Sequence, residues 1–248
     1  MDLREKSLTK KQILLHTERK RIGGSLLRKE KITVFRTGEA KSPMKKVLLV
    51  NGSPHAAGCV YTDLMEVAGA LEKHGVSWEL FQLGTAPIRG CISCRRCRES
   101  HVCVFEDDIA NALLQKFREC DGVIVGSPTY YAGPNGALCA VLDRVFQCDQ
   151  RCGSFAGKPA AAVINCRRGG ASAAFDRLNK YFTMNRMPLV SSQYWNAVHG
   201  TTPEECRQDL EGMQTMRTLG DQMAWVLAGL QSDPQPAKEP WIMTNFVR

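Results

Sequence analysis

No run of apolar residues in this sequence is long. Val47–Val50 and Val123–Val125 are typical, whereas a membrane span needs ~20 such residues, so no membrane partner is expected. No secretory signal is expected either: the first residues are polar, and Ile13-Leu14-Leu15 is too short for a signal core. The strings of several enzyme classes are missing. There is no H-E-x-x-H, no G-x-S-x-G, no G-x-G-x-x-G and no G-x-x-x-x-G-K-S/T, which argues against a zincin, a serine hydrolase, and a dinucleotide or nucleoside-triphosphate loop. The histidines (His16, His55, His74, His101, His199) are scattered and no acid/base pair stands out. His199 follows a strand and could approach a ligand, but a satisfied loop histidine is the plainer reading. With no side-chain machinery evident, no catalytic residue is named, and a bound cofactor is left to carry the chemistry.

Charge is uneven. The net charge is +8, yet residues 1–43 hold 12 Lys+Arg against 5 Asp+Glu, and residues 44–248 hold 21 against 20. The basicity belongs to a tail with no aromatic before Phe35. A phosphate-backbone groove, and with it nucleic acid as a partner, is therefore not expected in the main domain. Residues 1–43 read as a disordered arm, with short helices over Lys10–Leu15 and Ile22–Leu27 as an alternative. Met44 is also a candidate natural start.

From Met44 the pattern alternates. Apolar runs at Val47–Val50, Val76–Phe81, Gly122–Gly126, Ala160–Ile164 and a weaker Pro188–Val190 read as strands. Helical spacing falls at Thr62–His74, Asp107–Glu119, Asn135–Phe146, Ser172–Thr183 and Leu210–Leu230. Alternating strands and helices make a parallel sheet covered on both faces. Five strands predict a flavodoxin-like three-layer α/β/α sandwich of order 2-1-3-4-5, spanning 44–231. It carries a Cys-rich insert at 88–106 and is followed by a tail at 232–248.

In such a sheet ligands bind at the carboxyl ends of the strands. The first such loop runs Gly52-Ser53-Pro54-His55-Ala56-Ala57-Gly58-Cys59-Val60-Tyr61-Thr62. It opens a helix, whose free N–H groups suit an anion, and Ser53 and Thr62 add hydroxyls. An ordinary tight turn is the alternative. The loop after the third strand, Gly126-Ser127-Pro128-Thr129-Tyr130-Tyr131, places two aromatics where a flat heterocycle could lie; tyrosines capping the sheet are the alternative. Cys166-Arg167-Arg168-Gly169-Gly170 offers glycines for close approach and two guanidinium groups.

Eleven cysteines with no secretory signal suggest a reducing cytoplasm and a metal or redox site. Cys91, Cys94, Cys97 and Cys103 are spaced C-x2-C-x2-C-x5-C. Iron–sulfur clusters use such compact sets. Zinc suits four thiolates too, though usually in two separated pairs. Unliganded thiols are the third reading, and all three stay open on spacing alone. Cys148 and Cys152 match no metal spacing.

Taken together, Val47–Pro54, the Cys91–Cys103 set followed by Asp107-Asp108, and Gly126–Tyr131 resemble the NADPH-dependent FMN reductase-like flavoproteins, and the cysteines resemble their iron–sulfur flavoprotein branch. Arg167–Gly170, Tyr194-Trp195-Asn196, Met216–Gly220 and Thr244–Arg248 are also similar to that group. The resemblance covers Met44 to Arg248. It implies a flavodoxin-like fold, FMN, NAD(P)H as co-substrate, an unknown electron acceptor, and a homodimer or homotetramer. Ser53, His55, Gly58, Cys59, Val60 and Thr62 would then line the FMN phosphate. Pro128, Thr129, Tyr130 and Tyr131 would meet the ring, with Arg168, Gly169 and Gly170 on its other side. Cys91, Cys94, Cys97 and Cys103 would hold a 4Fe-4S cluster. Val60 departs from the family, which often has a hydroxyl there. The expected function is an FMN-dependent oxidoreductase passing electrons from NAD(P)H through flavin. The alternatives are a flavin and iron–sulfur electron carrier without turnover, and a zinc-bearing regulatory module.

Overall fold

The computed structural model describes the backbone of residues 14–22 and 25–33, and residues 44–230 in full. The chain divides into two units, Met1–Pro43 and Met44–Arg248. In the first, β1 (Leu14–Ile22) pairs antiparallel with β2 (Ser25–Thr33), Ile22 opposite Ser25. Of the short helices offered as the alternative over Lys10–Leu15 and Ile22–Leu27, the described residues Leu14, Leu15, Ile22 and 25–27 lie in strands, and 10–13 and 23–24 lie outside the described residues. The rest of 1–43, and the tail with Thr244–Arg248, lie outside the described residues.

The second unit runs β3 (Lys46–Asn51), α1 (Cys59–Lys73), β4 (Ser77–Gln82), α2 (Cys97–Ser100), α3 (Ala110–Glu119), β5 (Gly122–Tyr130), β6 (Gly133–Pro134), α4 (Gly136–Asp149), β7 (Ala160–Cys166), α5 (Ala171–Met184), β8 (Ala197–His199), α6 (Pro203–Gln208) and α7 (Leu210–Gly229). Its parallel strands lie in the order β4-β3-β5-β7-β8, the flavodoxin-like 2-1-3-4-5 expected from the sequence. Two details differ. A sixth strand, β6, folds back antiparallel on the end of β5. The fifth parallel strand is Ala197–His199, while Leu189 makes only an isolated bridge to Ala160. Between that bridge and the Ile164–Ala197 pair, β7 advances four residues and the edge chain eight. The surplus loops out and exposes Tyr194 and Trp195.

Strand alternation divides the core in two. Leu48, Val50, Val123, Val125, Ala160, Ala162 and Ile164 pack beneath α3, α4 and α5. Val47, Leu49, Ile124, Ala161, Val163 and Val198 pack beneath α1 and α7. Gly220 permits the second layer: a Cβ there would stand 2.6 Å from Ala70 Cβ and 2.7 Å from the Val67 carbonyl oxygen. Among the described residues no helix is long and apolar enough to cross a membrane.

Candidate functional site

The three strand-end loops meet in one rim. Gly52 N–H donates to the Gly126 carbonyl at 2.9 Å, so the loops after β3 and within β5 touch through backbone. A Cβ on Gly52 would lie 2.6 Å from that same oxygen. Tyr131 (φ 49°) and Ala132 (φ 61°) are the two central residues of the β5–β6 hairpin, the left-handed pair that a two-residue turn requires. That turn folds the hairpin against the third loop. Gly170, at φ 91°, lies so close that a Cβ would meet Ala132 Cα at 2.7 Å and Thr129 Cγ2 at 3.1 Å.

The first loop is held from below by amides. Buried Asn51 donates through Nδ2 to the His55 carbonyl (3.2 Å) and Gln82 Oε1 (2.6 Å), and its Oδ1 accepts from Ser53 N–H (3.1 Å). Gln82 donates to the Ser53 carbonyl, and Asn135 Nδ2 to the Gly52 carbonyl, both at 2.7 Å. The loop ends at Gly58, the N-cap of α1, which has no side-chain cap and no acid in its first turn. Its leading N–H groups are thus left to an external acceptor. Thr129 Oγ1 is buried with no hydrogen-bond partner among the described residues.

The expected binding residues divide accordingly. Ser53 is buried with its Oγ accepting from His55 N–H, and the His55 side chain is exposed. Gly58 and Cys59 open the helix. Pro128, Thr129, Tyr130, Tyr131, Arg168, Gly169 and Gly170 all lie on the rim, with Tyr131 fully exposed. Two fit their assigned roles poorly. Val60 is buried in the core, its Cγ1 2.6 Å from where a Gly126 Cβ would stand. The Thr62 hydroxyl donates back to the Gly58 carbonyl at 3.2 Å, the usual fate of an in-helix threonine. His199 bonds Asp209 through both its backbone N–H and Nδ1, a satisfied histidine as the plainer reading had it, though at the end of β8 rather than in a loop.

Sequence reading missed the polar cluster beneath the first loop. Asp63 is fully buried; its Oδ2 accepts from Asn165 Nδ2 at 3.0 Å and its Oδ1 has no partner among the described residues. Burial pushes this carboxyl up to about 8, against the Asn165 hydrogen bond, which lowers it. Asn165 Nδ2 also reaches Cys206 Sγ at 3.2 Å, a thiol pushed up to about 12 chiefly by burial. Asp63 occupies a core position of α1 between Thr62 and Leu64, and a carboxylate at an apolar helical position is the signal that was available.

The cysteine set forms a second feature. Cys91, Cys94, Cys97 and Cys103 line one cavity of about 210 Å³ with Phe105, Arg144 and Cys148. Cys91 and Cys94 are exposed and Cys97 is buried. Two donors point at sulfur: Ser93 N–H to Cys91 Sγ (3.4 Å) and Arg144 Nε to Cys103 Sγ (3.2 Å). Among the described residues no three Cys, His, Asp or Glu are gathered tightly enough to hold a metal ion. Arg144, on α4, went unnoticed in the sequence, and Cys148 on the same helix was seen there only as matching no metal spacing. Arg144 is a charge on a helix face shared with Val141 and Val145, which is again a readable signal.

Residues 45–202 match the NADPH-dependent FMN reductase family. The chain belongs to that family. Among its relatives, an iron–sulfur flavoprotein of Methanocaldococcus jannaschii is 30% identical, over 73% of this chain and 97% of that protein. One of Methanosarcina thermophila is 25% identical, over 76% and 98%. The solved structure of a flavodoxin, WrbA-like protein from Agrobacterium tumefaciens superposes with a TM-score of 0.52 at 16% identity, covering 77% of this chain and all of that one. The flavodoxin-like fold is thereby established for this FMN reductase family member, as is its class, a flavin oxidoreductase.

Proposed function

We propose that this chain binds FMN across the loops after β3, β5 and β7 and moves electrons from NAD(P)H through the flavin to an acceptor outside the chain. The observation that carries the reading is the rim itself. Three loops lock together at the carboxyl edge of the sheet beside the open N-terminus of α1, which suits a phosphate. Family membership supports the flavin, and the names of the relatives support an iron–sulfur group. Ser53, Gly58 and Cys59 would hold the phosphate through the loop and leading N–H groups. Thr129, Tyr130, Tyr131 and Gly170 would flank the ring. The flavin would supply hydride acceptance when bound, and these loop residues would orient its ring.

Cys91, Cys94, Cys97 and Cys103 would hold a 4Fe-4S cluster. Four thiols around one cavity with two N–H donors aimed at sulfur have the donor chemistry such a cluster needs. A cuboidal cluster interposes its own iron and sulfide between its thiolates, so it tolerates wider cysteine spacing than a single ion.

The test is an absorption spectrum of anaerobically purified protein with iron, sulfide and zinc assayed on the same sample, then stopped-flow mixing with NADH and NADPH. Flavin bands, about four iron per chain and bleaching within seconds are expected. Failure to bind added FMN refutes the reading. Bleaching by neither nucleotide leaves an electron carrier without turnover.

A further inference from the structure

Arg144 is the largest side chain that the fold buries completely, at 1% exposure. It projects from α4 into the cysteine insert and spends every group there. Its Nε–H donates to Cys103 Sγ at 3.2 Å. Nη1 bonds the Arg89 carbonyl at 3.3 Å and pairs with Asp108 Oδ2, whose side chain is 4% exposed. Nη2 bonds the Phe105 carbonyl at 3.3 Å, and the guanidinium carbon lies 5.6 Å from the centre of the Phe105 ring. Asp108 also accepts from Ala110 N–H through Oδ1, at the start of α3.

A clamp between insert and domain needs the ion pair and the two carbonyls. It does not need the donor to sulfur. A guanidinium can do both because its planar fork fixes Nε while Nη1 and Nη2 are engaged, which an ammonium cannot reproduce.

We infer that Arg144 is a positioning residue for the cluster proposed above, one that sets through Cys103 how readily the cluster takes an electron. The inference rests on that cluster reading. One-electron reduction adds negative charge to the iron–sulfide core and its thiolates. An N–H aimed at a ligand sulfur stabilises the more negative state, and so does a nearby positive charge. The Arg144 and Asp108 side chains are buried, so solvent screens their charges less than it would at the surface. Asp108 acts in the opposite sense, since its carboxylate disfavours the added charge. The pair therefore makes a prediction that a purely structural clamp does not. Removing either partner breaks a buried ion pair and destabilises the fold, yet the two removals shift the potential in opposite directions.

The experiment uses the full chain, purified anaerobically and reconstituted with iron and sulfide. The cluster is titrated with dithionite as electron donor and followed by electron paramagnetic resonance. Arg144→Met is expected to lower the potential by about tenfold in the one-electron equilibrium, 59 mV, with iron content retained. Asp108→Asn, whose amide oxygen can still accept from Ala110 N–H, is expected to raise it. Arg144→Lys is expected to fall between Arg144→Met and wild type. Urea midpoints fall in all three. Potentials that move in one direction in both Arg144→Met and Asp108→Asn, or that stay within threefold of wild type, overturn the inference and leave the cluster reading intact. If Arg144→Met does not fold, Asp108→Asn decides, and an unraised potential overturns the inference. Wild-type chain that takes up no iron and sulfide refutes the cluster itself, and this inference with it.

Discussion

Asp63 makes stability depend on pH in a way that one isosteric change removes. Its carboxyl is fully buried and, among the described residues, has one hydrogen bond, from Asn165, and no cation beside it. Burial raises it from the ordinary 3.8 to about 8. Between those values the folded chain holds a proton that the unfolded chain releases. Stability therefore falls as pH rises, by about 1.4 kcal/mol per unit, and levels off once the pH passes the folded value. Asn at this position can accept the same Asn165 bond and cannot ionise. The stability of Asp63→Asn relative to wild type should thus grow by about 2 kcal/mol between pH 6 and 7.5. Urea unfolding of the FMN-free full chain at constant ionic strength, followed by circular dichroism, measures it. A difference that changes by less than about 0.5 kcal/mol over that range, near the limit of linear extrapolation, would refute the argument and mean that Asp63 is ionised in the fold. A consequence reaches the proposed phosphate site one turn away. FMN affinity of the wild type should weaken above pH 8, as a carboxylate forms beneath the phosphate, and Asp63→Asn should lack that loss beyond what the phosphate's own titration gives.

Gly170→Ala adds a Cβ to a left-handed residue and drives it against Ala132. Strain of about 1–2 kcal/mol and overpacking of about 1–3 kcal/mol should lower the thermal midpoint and weaken FMN binding at least about tenfold, whereas Gly169→Ala, with open space around its Cβ, should do neither. Ser53→Ala removes the acceptor of the His55 N–H and should weaken FMN binding about fivefold, at about 1 kcal/mol per hydrogen bond; Thr62→Ala, whose hydroxyl is spent on Gly58, should change it less than twofold by isothermal titration. Tyr131→Gly relieves a left-handed turn residue and buries nothing, so urea stability should hold or rise by up to about 1 kcal/mol, while FMN affinity falls if the ring lies against that side chain.

The local alphabet of this protein determined a good deal. Short apolar runs, two of them ending in Gly-Ser-Pro, alternate with stretches of 3.6-residue periodicity and leave few options except a parallel sheet wrapped on both faces. Five such strands then set the order 2-1-3-4-5. The strand-end loops, and so the rim residues from Ser53 to Gly170, follow from that topology, because parallel strands all present their carboxyl ends to one edge. Spacing likewise grouped Cys91, Cys94, Cys97 and Cys103. What the strings could not convey were contacts between residues far apart in sequence. That Thr62 turns inward to Gly58, and that Val60 fills the space above Gly126, depend on which face of α1 meets the sheet. The fifth strand fell at Ala197–His199 and not at Pro188–Val190 because pairing to the carboxyl half of β7, rather than apolar content, decides which edge segment becomes a strand. Asp63 against Asn165 and Cys206, and Arg144 against Asp108 and Cys103, are 36 to 143 residues apart along the chain. Burial gives these groups their raised carboxyl and their unscreened charge, and burial exists only once both faces of the sheet are covered.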